Sequence, residues 1–88
     1  MVHNKSEMIE DLDRHLSRVE LIGNHRIAIE NHRGIQEYSD LSMKISLFDG
    51  TLHIIGQNME IYGLTMTELT VVGQINSVEY IKTASGRR

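Results

Sequence analysis

Residues 46–55 read SLFDGTLHII. Apolar and polar residues alternate on both sides of Asp49-Gly50. Ile45 and Leu47 alternate with Lys44 and Ser46, and Leu52 and Ile54 flank His53. A period of two marks a half-buried strand. Asp-Gly between two such runs marks a hairpin with a two-residue type I′ turn, in which glycine accepts positive φ. The expected turn therefore spans Phe48 to Thr51. Phe48 faces Thr51, Leu47 faces Leu52 and Ile45 faces Ile54, so the apolar side chains meet on one face. A slip of one residue would turn that face to water.

The same period runs outward from this hairpin. Val19 and Leu21 flank Glu20, Ile27 and Ile29 alternate with Arg26 and Glu30, and Met59 and Ile61 alternate with Glu60 and Tyr62. Leu69 and Val71 flank Thr70, and Val78 and Tyr80 flank Glu79. Seven or eight short strands with turn signals every 7 to 12 residues or so read as a small antiparallel β-sandwich. The expected core is Val19, Leu21, Ile27, Ile29, Ile45, Leu47, Leu52, Ile54, Ile61, Leu69, Val71 and Val78. The glycines at 56, 63 and 73 are expected to close strands or form bulges. Their spacing also suggests a β-solenoid, the alternative architecture, although stacked repeats keep a steadier period.

Residues 1–17 contain no glycine, and Met8, Ile9, Leu12 and Leu16 fall on one helical stripe. Asn4 with Glu7 resembles a capping box. Acids at the start and Arg14, His15 and Arg18 at the end suit the helix dipole. A single domain follows: an N-terminal helix over 1–17 laid against the sheet or projecting from it, a β domain over 18–82 and a flexible tail over 83–88.

The totals exclude several classes. The 88 residues include no Cys and no Pro, and the net charge is −3. Disulfides and thiolate metal sites are ruled out. A sequence-independent nucleic-acid binder is usually basic, and here only Arg87-Arg88 is locally so. No apolar run approaches the roughly 18–20 residues of a membrane span. The polar, acidic start does not read as a secretory signal.

The stretch with the most chemistry is Glu30-Asn31-His32-Arg33-Gly34. Gly34 and Asn31 both tolerate special backbone positions. The stretch reads as a turn or bulge that redirects the chain from Ile29 to Ile35, held by polar contacts, and as an interaction or structural motif. The other reading is a ligand or catalytic site using Glu30, His32 and Arg33. His25 and His32 point to opposite sides along a strand, so no metal site is expected. Ser39, Asp40 and His32 can be assembled into a triad on paper, as in almost any chain of this length, and carry no weight without geometry. No phosphate-binding glycine loop is present, and Tyr38, Tyr62, Tyr80 and Phe48 lack the basic neighbours of a base-stacking surface.

Three stretches together, HRIAIENHRGIQEYSD, DGTLHIIGQNMEIYGL and ELTVVGQINSVEYI, resemble the YabP/YqfC family of sporulation proteins, with the first pointing to the YqfC branch. The shared glycine-centred pattern falls here on Gly50, Leu52, Ile54, Gly56, Met59 and Ile61. The resemblance spans about residues 18 to 82. It implies a small all-β protein of endospore formation in Firmicutes, in the mother-cell cytoplasm, without enzymatic activity. It transfers no catalytic residue, cofactor or metal ligand. Other sporulation proteins are the implied partners. Self-association is expected from the residues themselves. Strand edges without proline invite pairing, and Ile55 and Val72 make two strands apolar on both faces.

Overall fold

The period-two runs become strands. A computed structural model describes residues 16–82, which form β1 (Arg18–Ile22), β2 (Arg26–Glu30), β3 (Ile35–Tyr38), β4 (Ser42–Leu47), β5 (Gly50–Leu64) and β6 (Glu68–Lys82). They make one antiparallel sheet in the order β1-β2-β6-β5-β4-β3. The domain is all-β, as the alternation predicts. Antiparallel pairing of sequence neighbours is not the stacked-coil pattern of a solenoid. The expected helix lies outside the described residues apart from its last two positions, Leu16 and Ser17, which are irregular. The tail 83–88 also lies outside them.

Six strands stand where seven or eight were expected. The apolar runs at 52–54 and 59–61 belong to one strand, β5, and those at 69–71 and 78–80 to β6. Gly56, Gly63 and Gly73 interrupt neither. Register shifts between Ile55/Gly56, Gln57/Glu60 and Ile61/Gly63 absorb the extra residues. Such bulges bend a strand and increase its twist without ending it. At Asn58, φ is +54°, and the buried set passes from even positions (Leu52, Ile54, Gly56) to odd (Met59). β3, which the alternation did not mark, forms against β4.

The bulges fold the sheet over. Thr67, at the tip of the β5–β6 hairpin, accepts from the Asn31 amide at 2.6 Å. Ser46, which pairs with Thr51 near the opposite end of β5, accepts from the Arg33 amide at 2.7 Å. On a flat sheet these two acceptors would lie about 40 Å apart at roughly 3.3 Å per residue. Residues two apart can join them only if the ends of the long hairpin come together. One half then contains β1, β2, the start of β6 and the end of β5. The other contains β3, β4, the start of β5 and the end of β6. The turns beside the bend are fastened to it: Gly56 N–H donates to Leu41 O and Met59 N–H to Asp40 O, while Gly73 N–H donates to His25 O and Ile75 N–H to Asn24 O.

The inward faces form one core: Ile27, Ile29, Met43, Ile45, Leu47, Leu52, Ile54, Met59, Leu69, Val71 and Ile75, with Ile61 and Ile35 packed against it. Three expected members are exposed. Val19 and Leu21 are 38% and 52% exposed, and Val78 is 37% exposed. Their strands point them correctly, since Val19 pairs with Ile29, Leu21 with Ile27 and Val78 with Ile54. They lie at edges where the opposite half does not reach. Met43, Met59 and Ile75 are buried instead.

The 46–55 hairpin forms, with its register moved by two residues. Leu47 pairs with Gly50, Ile45 with Leu52 and Met43 with Ile54, so the loop is Phe48-Asp49. A shift of two preserves the face. Neither loop residue nor Gly50 has positive φ, so the turn is not type I′. Gly50 is needed for space: a Cβ there would meet the Ile81 carbonyl oxygen at 2.5 Å and the Tyr80 ring at 3.0 Å. Gly50→Val is expected to cost about 2–3 kcal/mol through overpacking, read by denaturant unfolding. A midpoint equal to wild type would contradict the close approach of β6.

Candidate functional site

The chain crosses between the two halves of the sheet at residues 30–34, and each member of the stretch has a distinct place. Glu30 ends β2, exposed, between Arg18 of β1 and Glu68 of β6. Asn31 turns the chain with φ +62°. Its side-chain amide donates to Leu16 O at 3.0 Å, and its carbonyl accepts from Ser17 Oγ at 2.8 Å. The Ser17 hydroxyl also accepts from Phe48 N–H at 3.1 Å. This ties the entry to β1, the crossover and the β4–β5 turn together.

His32 is the one buried polar residue among those described, 8% exposed. Its Nδ1 accepts from Gly34 N–H at 3.0 Å, and its Nε2 lies 2.9 Å from Thr65 O. An amide can only donate and a carbonyl can only accept. The ring is therefore the neutral tautomer with its proton on Nε2, and both nitrogens are used. Arg33 is exposed, with its guanidinium 5.5 Å from the Phe48 ring centroid. Gly34 has φ +119°, and its carbonyl accepts from Ser46 N–H at 2.8 Å. Residues 33–34 thus extend the β3–β4 ladder by one pair.

The stretch does not gather Glu30, His32 and Arg33 into one concavity. His32 faces inward, and Glu30 and Arg33 lie on the surface. The other residues singled out by type lie in turns. The Ser39 hydroxyl closes the β3–β4 turn by accepting from the Leu41 and Ser42 amides at 3.2 and 3.0 Å. His25 sits in the β1–β2 turn. Among the described residues, no group of three or more His, Cys, Asp or Glu is placed to hold a metal ion.

Two polar arrangements escaped the sequence reading. Ser42 Oγ and His53 Nε2 share a 3.0 Å hydrogen bond across β4 and β5. The Tyr80 hydroxyl donates to the Asp49 carboxylate, joining the end of β6 to the β4–β5 turn. The first could be anticipated from a register; the second, between residues 31 apart, has no local signal. The hydrogen bond to Asp49, then burial and the carboxylate charge, hold the Tyr80 phenol above its ordinary value of 10.0. A proton held more tightly in the folded state contributes stability below pH 10, lost as the pH rises through the folded value. Spectroscopic titration should show Tyr80 ionising above its ordinary value of 10.0. Asp49→Asn should bring it back toward that ordinary value; an unchanged titration would dissolve the pairing.

These features define a small bent-sheet domain whose most polar segment holds its two halves together. The chain matches the YabP family over residues 13–87 and belongs to it. It is 32% identical over 76 residues to the uncharacterized protein YqfC of Bacillus subtilis (strain 168), a match covering 86% of this chain and 82% of that protein. No solved structure matches it.

Proposed function

We propose that this protein is a non-enzymatic assembly or interaction module of endospore formation, working in the mother-cell cytoplasm as a homo-oligomer and with other sporulation proteins. The sporulation role rests on the YabP/YqfC family resemblance. The module role rests on one observation: the last seven residues of β6, Asn76–Lys82, are all exposed, and among the described strands they pair on one side only. β5 takes one edge, and β2 reaches only as far as Val72. An edge that the described strands leave open, carrying Val78, Tyr80 and Ile81, is a template for another strand. Among the described residues, no helix is long and apolar enough to cross a membrane.

The ligand-binding or enzymatic reading of Glu30, His32 and Arg33 is less well supported, because both His32 ring nitrogens are engaged with the backbone. Deleting the gene in its spore-forming host and counting heat-resistant spores tests the setting. A fall in the count is expected, and an unchanged count would overturn the sporulation role. Light scattering on the purified chain at micromolar concentration tests the assembly. A mass of two or more chains is expected, and a strict monomer would overturn self-association.

A further inference from the structure

The outer strands of the sheet are not equally ready to pair. From Ile55 with Ser77 to Gly50 with Lys82, β5 and β6 pair six times in succession without a register shift, so the end of β6 runs straight. The other outer strands are blunted. β3 shifts register between Ile35 and Glu37, β5 shifts beyond Gln57 and again beyond Ile61, and β1 carries Arg18 and Glu20. Bulges and charges are what keep an edge from pairing. The turn beside the bend shows which backbone groups the end of β6 offers. Gly73 and Ile75 send their N–H groups away from β5, to His25 O and Asn24 O, and Ile75 faces the core. Past Asn76, which the register skips, the core side passes to Val78 and Tyr80, partners of the buried Ile54 and Leu52. Along one strand, residues on the same face direct N–H and C=O to the same edge. Val78 and Tyr80 therefore present donors and acceptors on the open side, and Glu79 turns its own toward β5.

Building on the module reading of this edge, and resting on it, we propose that the added strand is β6 of a second copy, antiparallel about a two-fold axis at Glu79. This register overlaps the whole exposed segment 76–82 and makes it self-complementary. Val78 meets the partner's Tyr80 on the core side, and the two exchange backbone hydrogen bonds. Ser77 meets the partner's Ile81 on the outer side, and Asn76 meets the partner's Lys82. Val78 and Tyr80, 37% and 49% exposed in one chain, then cover each other. An axis at Tyr80 instead would set Lys82 against Val78 on the core side and shorten the overlap to residues 78–82. The one unfavourable contact is Glu79 against the partner's Glu79, because like charges directly opposite are destabilising. It falls on the outer face, open to water, where His53 is the cross-strand neighbour of each. A two-fold pairing uses the same edge in both copies and closes on itself, so growth along this edge stops at two chains.

The chain has no cysteine, so a single introduced thiol reads the register in the full-length protein. Glu79 and its copy form a non-hydrogen-bonded pair with Cα atoms about 4.5 Å apart, inside the disulfide range of about 4.4–6.8 Å. In a glutathione redox buffer Glu79→Cys should cross-link to a covalent dimer. Ser77→Cys and Ile81→Cys should each cross-link poorly alone and well as an equal mixture, and urea should bring every sample to one low level. Glu79→Gln should tighten association about two- to five-fold by removing the like-charge contact, read by light scattering on dilution. The pairing is overturned if Glu79→Cys cross-links no better than Ser77→Cys alone, or if Glu79→Gln weakens association. A chain that scatters as an oligomer without the Glu79→Cys cross-link loses this pairing and keeps the assembly. A monomer without the cross-link loses both and leaves the edge to a different protein.

Discussion

Gly56→Ala is expected to lower the stability of this domain by about 3–4 kcal/mol, beyond the usual range of a point change. Gly56 lies at the bend of β5, where the strand passes close to β6. A Cβ there would sit 2.1 Å from the Gln74 carbonyl oxygen and 2.9 Å from the Met59 sulfur. The sulfur is the end of a flexible side chain and can move. The carbonyl is part of the backbone and can move only if the bend opens. The Gly56 amide also donates to Leu41 O, so opening the bend strains the β3–β4 turn. For a domain of this size the loss is a Tm shift of at least about 12 °C. Gly63 is the internal control: it lies in the same strand, has φ outside the positive region, and nothing would meet its Cβ within 4 Å. Gly63→Ala should leave Tm within about 3 °C, equivalent to less than 1 kcal/mol. Equal melting of the two variants would mean that the sheet does not fold over at Gly56.

His32→Ala is expected to cost about 2–4 kcal/mol. The ring is buried, so truncation leaves a cavity. It also strips Thr65 O and Gly34 N–H of a partner, and a buried polar group left unsatisfied costs about 1–3 kcal/mol. Arg33→Ala, one residue on, should cost less, about 0.5–1 kcal/mol, because the side chain is exposed and its contact with the Phe48 ring is open to water. Urea unfolding of the two variants separates a structural crossover from a binding site. A crossover predicts a large effect at 32 and a small one at 33. A full-stability His32→Ala protein would show that the ring does not hold the halves together.

The crossover explains what could be read in advance and what could not. Gly34 and Asn31 announced a redirected backbone by residue type alone, and both have positive φ. His32 announced nothing of its burial. Its partner Thr65 lies 33 residues away, and its other partner is a backbone amide whose direction depends on the φ of Gly34. The 48–51 turn shows the same division. Two alternating runs require a hairpin, but Asp-Gly suggested its loop one position too late. Gly50 serves instead to let β6 approach, and β6 lies about thirty residues further along the chain.

By itself the sequence determined the all-β class, the face that each alternating strand turns inward and the family, because side-chain alternation and short motifs are local properties. It did not determine how many strands there are or which apolar residues end up dry. Whether a glycine ends a strand or bends it depends on whether a cross-strand partner keeps its hydrogen bonds through the bulge, as β6 does for β5 at Gly56 and Gly63. Whether an inward-pointing residue is buried depends on what stands opposite, so Ile29 is sealed and its neighbour Val19 is not. Both outcomes are set by the folding of one half of the sheet over the other, a contact between segments that no stretch of sequence contains.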